Sequence, residues 1–340
     1  MKKIIGHLLG WVLLFASPAV AYAEETLVLH HFLSPQAPTH ADFLVPWAEK
    51  IEKDSGGALK IKIYPSMALG GKPPELYRQL RDGVVDIAWT VMGYTPGVFP
   101  RSEVFELPSV HRGSAEASNQ AIQEVYDEML ADDFGDVHPI LVHVHGGNAM
   151  HLKDKPVSNV ADLRGLKIRT PSRTGAWMIE SWLAEPVGMP LPALPQALSK
   201  GAVEGALIPF EVVRPYKVHE LTDYSVEGDV RFGTLVFLFA MNKERYNALS
   251  PKLRAVIDDN TGSAIAAHYG RLWDGNEEAG RQAQIDSGGK IVVLDAASQA
   301  GFAEKAKIVE ERWIKGTNAA GLDGEHLVKT AKKAIAKYSH

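Results

Sequence analysis

Two rhythms of apolar and polar residues alternate along this chain. Over 40–53 the apolar residues Phe43, Leu44, Trp47, Ala48 and Ile51 recur at spacings of three and four, which predicts a helix with one buried face; Ser55-Gly56-Gly57 stops it. Over 59–64 the apolar residues lie two apart, as a strand with one buried face requires. The same reading gives a strand over 27–32, a helix over 73–81 with Pro73-Pro74 at its start, and a strand over 84–89. Strand, helix, strand, helix, strand in that order favours a parallel sheet flanked by helices, an α/β fold.

Further along, 114–130 reads as a helix and 137–145 as a strand. Gly146-Gly147 breaks the pattern and is expected to mark a crossing between two lobes. A long apolar strand over 233–241 could return the chain to the first lobe. Ser250-Pro251, an N-cap serine followed by proline at the first helical position, opens a helical stretch that runs to about residue 286. Thirty-odd residues at ~1.5 Å each span roughly 50 Å, enough to brace two lobes. Gly262, Gly270, Gly275 and Gly280 lie within this stretch and make a kink or break possible. Helices near 299–315 and 324–337 finish the chain.

Part of this pattern occurs twice. Leu59-Lys60-Ile61-Lys62 returns as Leu166-Lys167-Ile168-Arg169, and 80–88 returns as 198–206 with the same helix, glycine, strand rhythm. Two such units imply two lobes, and a cleft between domains is a preferred place for a small ligand. The expected division is 1–23 a signal peptide, 24–147 plus 233–285 lobe I, and 148–232 plus 286–340 lobe II. On this repeat Arg169 in the second lobe and Lys62 in the first hold equivalent places.

The chain start explains the compartment. Lys2 and Lys3, a mostly apolar 4–15 and the small residues of Ala21-Tyr22-Ala23 have the form of a secretory signal peptide. The apolar stretch is short of the ~20 residues that span a bilayer. Cysteine is absent, which removes disulfides, thiolate metal sites and cysteine nucleophiles from consideration. A net charge of −5 argues against nucleic acid and anionic membrane surfaces as partners. Export, solubility and mild acidity suit a periplasm.

Several ordered blocks resemble one family. Ala68-Leu69-Gly70-Gly71 with Glu75, Leu80, Gly83 and Asp86-Ile87-Ala88, then Phe105-Glu106-Leu107-Pro108, then 162–171 around Leu166-Lys167-Ile168-Arg169, then 201–205 with Pro209, are similar to the DctP-type solute-binding proteins of TRAP transporters. The resemblance implies two lobes closing on an organic acid, no catalysis, no cofactor, and delivery to small and large membrane permease subunits. It also implies that Arg169 holds the ligand carboxylate. The planar guanidinium fork suits that task, since it meets a carboxylate in two parallel bonds.

The departures from the family pattern carry the ligand expectation. Relatives for polar acids carry an asparagine where this chain has Ile208, with Phe210 two residues on, and a second arginine near 147–151, where this chain has none. Leu191 stands where phenylalanine is frequent, and Trp89 to Tyr94 lacks acidic and amide groups. One cation with walls drawn from Trp89, Tyr94, Leu191, Ile208 and Phe210 selects a hydrophobic or aromatic monocarboxylate. A second carboxylate would be buried unpaired, at a cost of several kcal/mol. The alternatives are a 2-oxo or hydroxy acid or a C4-dicarboxylate. From the first strand end, His31 or Phe32 is expected to reach the ligand. His143, His145 and His151 lack carboxylates at metal-ligand spacing, so no metal is expected. A hydrolase on the same fold is the alternative from another class, but Gly-x-Ser-x-Gly occurs nowhere, and His219-Glu220 lacks the second histidine of a zinc protease.

Overall fold

The computed structural model describes residues 24–339; the expected signal peptide falls outside them. The described strands, in chain order, are β1 (Glu25–His31), β2 (Leu59–Tyr64), β3 (Ile87–Val91), β4 (Val137–Val144), β5 (Ala149–Leu152), β6 (Lys167–Thr170), β7 (Glu185–Gly188), β8 (Gly205–Ile208), β9 (Tyr224–Glu227), β10 (Val236–Asn242) and β11 (Lys290–Val293). They form two sheets, ordered β2-β1-β3-β10-β4 and β11-β9-β5-β8-β6-β7. The described α-helices are α1 (Val45–Asp54), α2 (Leu76–Arg81), α3 (Ala115–Glu124), α4 (Arg173–Ser181), α5 (Leu194–Ser199), α6 (Lys243–Ala248), α7 (Pro251–Asp258), α8 (Ser263–Asp286), α9 (Ala296–Ala319) and α10 (Gly324–Tyr338). None of them is long and apolar enough to cross a membrane.

In the first sheet β1 pairs parallel with β2 and β3. β10 arrives from the other lobe and runs antiparallel between β3 and β4. Its seven residues are all buried, because helices cover both faces of a central strand. β2 lies at the edge, and its lysines stay outside.

The two halves of the sequence repeat fare differently. α2–β3 and α5–β8 are true counterparts, each a helix, a glycine turn and a strand, which pairs parallel with β1 in lobe I and with β6 in lobe II. Leu59-Lys60-Ile61-Lys62 and Leu166-Lys167-Ile168-Arg169 are not counterparts. β2 is an edge strand, whereas β6 lies between β8 and β7 as β1 lies between β3 and β2. Arg169 faces Ala206 and His30 faces Ala88, so the position in lobe I that corresponds to Arg169 is His30 rather than Lys62.

The chain passes between lobes at 145–148 and 228–235. It passes again along α8, a helix of about 36 Å at ~1.5 Å per residue. The long helical stretch expected from Ser250 is interrupted at Gly262, whose φ of 52° is outside the right-handed region, and α7 and α8 lie on either side. The later glycines serve approach rather than kinking. A Cβ on Gly270 would lie 2.4 Å from the Glu116 backbone, and one on Gly280 1.9 Å from the Phe210 carbonyl oxygen. α8 is thereby seated directly against α3 of lobe I and against the turn after β8 of lobe II. α9 packs on α4 of lobe II. α10, which the sequence reading assigned to lobe II with the rest of 286–340, packs against α3 of lobe I instead. Its buried stripe of Leu327, Val328, Ala331, Ala334 and Ile335 finds its apolar partner there.

Candidate ligand-binding site

Between the lobes lies a narrow slot lined by residues of both, and a cleft between domains is a preferred place for a small ligand. One wall belongs to lobe I. Trp89 and Val91 stand two apart on β3 and share a face, and Phe237 of β10 is directly opposite Val91. The Trp89 and Phe237 rings stack at 4.8 Å, and Phe32, just past β1, sits 5.3 Å from Trp89 and 5.4 Å from Tyr94. The Trp89 indole N–H donates to His143 Nε2 at 2.9 Å, which fixes the ring that the wall presents. The other wall belongs to lobe II and comes from Leu191, Ile208 and Pro209.

Arg169 closes one side. β6 carries it into the slot while 2% of the residue remains exposed. Its Nε donates to the Met189 carbonyl oxygen at 3.0 Å, and the Tyr94 phenol lies beside it. Tyr94 in turn accepts from the Leu191 N–H at 3.1 Å, a hydrogen bond across the cleft. No carboxylate among the described residues pairs with Arg169. Burial pulls its pKa down, with Tyr94 opposing. Burial likewise raises the Tyr94 phenol, against the pull of the arginine. A buried cation with polar neighbours and no counter-ion is a site prepared for an anion.

Two further polar side chains line the slot. His145, at the crossing after β4, is fully buried. Burial holds its pKa well below the ordinary value, and His111, His143 and Arg231 act in the same direction. The ring is therefore neutral. Glu211 follows Phe210 and is 6% exposed. Burial, with Glu277 nearby, pushes its carboxyl up to about 8, so it holds its proton at neutral pH. Glu277 is itself pushed up to about 7 by burial, and its Oε1 accepts the Glu211 N–H at 3.1 Å. Arg231, half-buried after β9, is engaged by Glu227 at 2.8 Å and Glu277 at 3.5 Å.

The sequence-predicted residues divide accordingly. Arg169, Trp89, Tyr94, Leu191 and Ile208 meet around the slot. Phe210 does not line it. The turn after β8 rotates that ring away, between the Arg231 and Arg281 guanidinium groups at 5.1 and 5.4 Å and against His151 at 4.9 Å. Its neighbour Glu211 faces the slot instead. His31 is also turned away, its Nε2 on His40 Nδ1 at 2.9 Å and its Nδ1 accepting the Leu33 N–H at 3.1 Å, while Phe32 faces inward. Sequence reasoning missed Val91, Phe237, His145 and Glu211. Alternation from Trp89 points to Val91; nothing local points to Phe237, whose place depends on the register of β10.

A polar latch also joins the two lobes. Arg173, at the start of α4 in lobe II, donates to both Glu103 oxygens of lobe I at 2.7 and 2.5 Å. Thr174 donates its hydroxyl to Glu106 Oε2 at 2.6 Å, and Glu106 Oε1 accepts the Val236 N–H at 3.2 Å. Burial, with Glu103 adding to it, raises Glu106 to about 7.

Two sheets, crossing strands, a bracing helix and a cleft with one buried cation define a two-lobed binding protein for a small anion. The comparisons agree. The model of the bacterial extracellular solute-binding proteins, family 7 (DctP), matches residues 29–315, and the chain belongs to that family. It is an extracytoplasmic family of substrate-binding transport proteins, among them those of TRAP transporters. The chain is 46% identical to a marine metagenome TRAP solute-binding protein from an unidentified microbe, solved with 3-hydroxybenzoate; 94% of this chain and 100% of that one align, with a TM-score of 0.91. A TRAP solute-binding protein from Rhodoferax ferrireducens, solved with copurified benzoate, is 44% identical over 92% of this chain and 98% of its own, with a TM-score of 0.90. One from Bordetella bronchiseptica, solved with both mandelate enantiomers, is 26% identical over 93% and 100%, with a TM-score of 0.85.

Proposed function

We propose that this protein captures an aromatic monocarboxylate in the slot and delivers it to the membrane subunits of a TRAP transporter. The observation that carries the reading is Arg169, buried, without a carboxylate partner among the described residues, and the sole arginine or lysine in the lining of a slot whose walls are mostly aromatic and aliphatic. The ligand carboxylate would take the guanidinium as a forked partner, and the ring would lie among Phe32, Trp89 and Phe237 at ~0.5–1.5 kcal/mol per good aromatic pair. A C4-dicarboxylate would bring its second charge against Ile208, Leu191 or Glu211, where no cation waits. The benzoate and hydroxybenzoate found in relatives at 44 and 46% identity support the same class. We read the protein as non-catalytic, in keeping with a family made of substrate-binding transport proteins.

The test is a melting-temperature series with benzoate, hydroxybenzoates, mandelate, succinate, malate and sialic acid, followed by calorimetry. Stabilisation by the aromatic acids alone is expected. A clear shift with succinate or malate and none with the aromatic acids overturns the reading.

A further inference from the structure

His145 donates where no acceptor of the protein receives. The Gly147 N–H donates to His145 Nδ1 at 2.9 Å, so Nδ1 carries the lone pair. The ring is neutral, and its single proton is therefore on Nε2. That atom is buried and has no hydrogen-bond partner. Glu211 Oε2 is in the same condition. Buried polar atoms are mostly paired, and of the described side-chain atoms that are not, these two are on residues that line the slot. The residues come from different lobes, His145 from the crossing after β4 and Glu211 from the turn after β8. The rest of the lining, Arg169 and Tyr94 aside, is apolar.

We propose that His145 and Glu211 form a specificity site for a hydroxyl on the ligand ring, so that the preferred ligand is a hydroxy-substituted aromatic monocarboxylate rather than the unsubstituted acid. This rests on the reading that the slot takes aromatic monocarboxylates at Arg169. A phenolic oxygen accepts from His145 Nε2–H and donates its own proton to Glu211 Oε2, so that one hydroxyl satisfies both orphans. A methyl group of similar size satisfies neither and leaves both buried without partners. Sites built to hydrogen-bond a hydroxyl reject the analogue lacking it far more strongly than apolar pockets reject an extra methyl.

Calorimetry on the wild-type protein with benzoate, 3- and 4-hydroxybenzoate, and 3- and 4-methylbenzoate tests this without any variant. At one ring position the hydroxy acid is expected to bind at least tenfold more tightly than both benzoate and the methyl acid of the same position. In His145→Asn, whose side-chain oxygen can still accept the Gly147 N–H, that ratio of hydroxy to methyl acid is expected to fall toward one. Glu211→Met tests the other half by the same ratio. If benzoate and the methyl acids bind as tightly as the hydroxy acids, this inference is overturned while the aromatic-acid reading stands. If no acid in the series binds, the reading beneath it goes too.

Discussion

Replacing Arg169 with methionine separates the cost of the anchor from its use. Methionine fills much of the same space without the charge. In the unliganded protein the change removes the desolvation penalty of an ion that has no counter-charge, several kcal/mol in relaxed interiors. It also removes the bond from Nε to the Met189 carbonyl, and charged hydrogen bonds contribute about 1.5–3 kcal/mol. The contact with Tyr94 goes with it. These terms oppose each other, so unliganded stability should stay within about 2 kcal/mol of wild type, against the 3–5 kcal/mol lost when a true buried ion pair is broken. Binding has no such offset. Truncating one side of a buried charge pair costs about 2–5 kcal/mol, or roughly thirty- to several-thousand-fold in affinity. An aromatic acid at about 100 times its Kd adds ~2.7 kcal/mol to the wild type. After a 300-fold loss the same concentration adds only ~0.2 kcal/mol by the same relation. For a chain of this length the difference is roughly 5 °C in Tm. Differential scanning calorimetry with and without ligand reads both quantities. A ligand-induced shift retained in Arg169→Met refutes the anchor. A loss of unliganded stability well beyond 2 kcal/mol refutes the claim that the cation lacks a protein counter-ion.

Stability should peak near pH 6.5. His31, His143 and His151 are pulled to about 3 and His111 to about 4 by burial, so the folded state binds fewer protons than the unfolded chain from there up to 6.5, and stability rises with pH across that window. Glu106, Glu211 and Glu277, raised to about 7, 8 and 7, bind more protons folded than unfolded; they oppose the four histidines below 6.5 and act alone above it, so stability falls from there to about 8. A melting temperature that keeps rising through pH 8 contradicts this. Ligand affinity should weaken above about pH 8 as Glu211 ionises beside the bound anion, and Glu211→Gln should flatten that limb in a pH series of titrations. Gly280→Ala should destabilise by about 1–3 kcal/mol because its Cβ meets the rigid Phe210 carbonyl, while Gly275→Ala, in open space, should stabilise by about 0.5–1 kcal/mol; denaturant melts showing the same sign for both contradict the seating of α8. Arg173→Met should weaken ligand binding severalfold by loosening the latch to Glu103, and unchanged affinity would show that the latch does not hold the liganded state.

The helix and strand rhythms made most of the fold legible, because amphipathic spacing reports which face is buried. What the rhythm does not carry is which strands become neighbours. Leu59-Lys60-Ile61-Lys62 and Leu166-Lys167-Ile168-Arg169 look alike, yet one is a sheet edge and the other a sheet interior. Phe237 reaches the slot only through its pairing with Val91, a register fixed by tertiary packing. Phe210 and Glu211 differ by one position on a tight turn, and that step exchanged an aromatic wall for a carboxyl. The choice between His31 and Phe32 turned on the same parity at a strand end. The place of Arg169 in the slot, by contrast, was legible through the family pattern, because the block that carries the resemblance includes the strand that holds it.

The position of β10 has a consequence for how the chain is made. During synthesis and export the polypeptide is available from its N-terminus first. β1 to β4 emerge before the strand that must lie between β3 and β4 exists. Until residue 242 is available, lobe I holds two open sheet edges separated by a strand-wide gap, the kind of exposed edge that recruits other chains. Lobe II, whose five strands β5 to β9 are contiguous in sequence, can assemble most of its sheet beforehand. The order of folding should therefore run against the order of synthesis, with the second lobe forming the platform from which β10 is returned to complete the first.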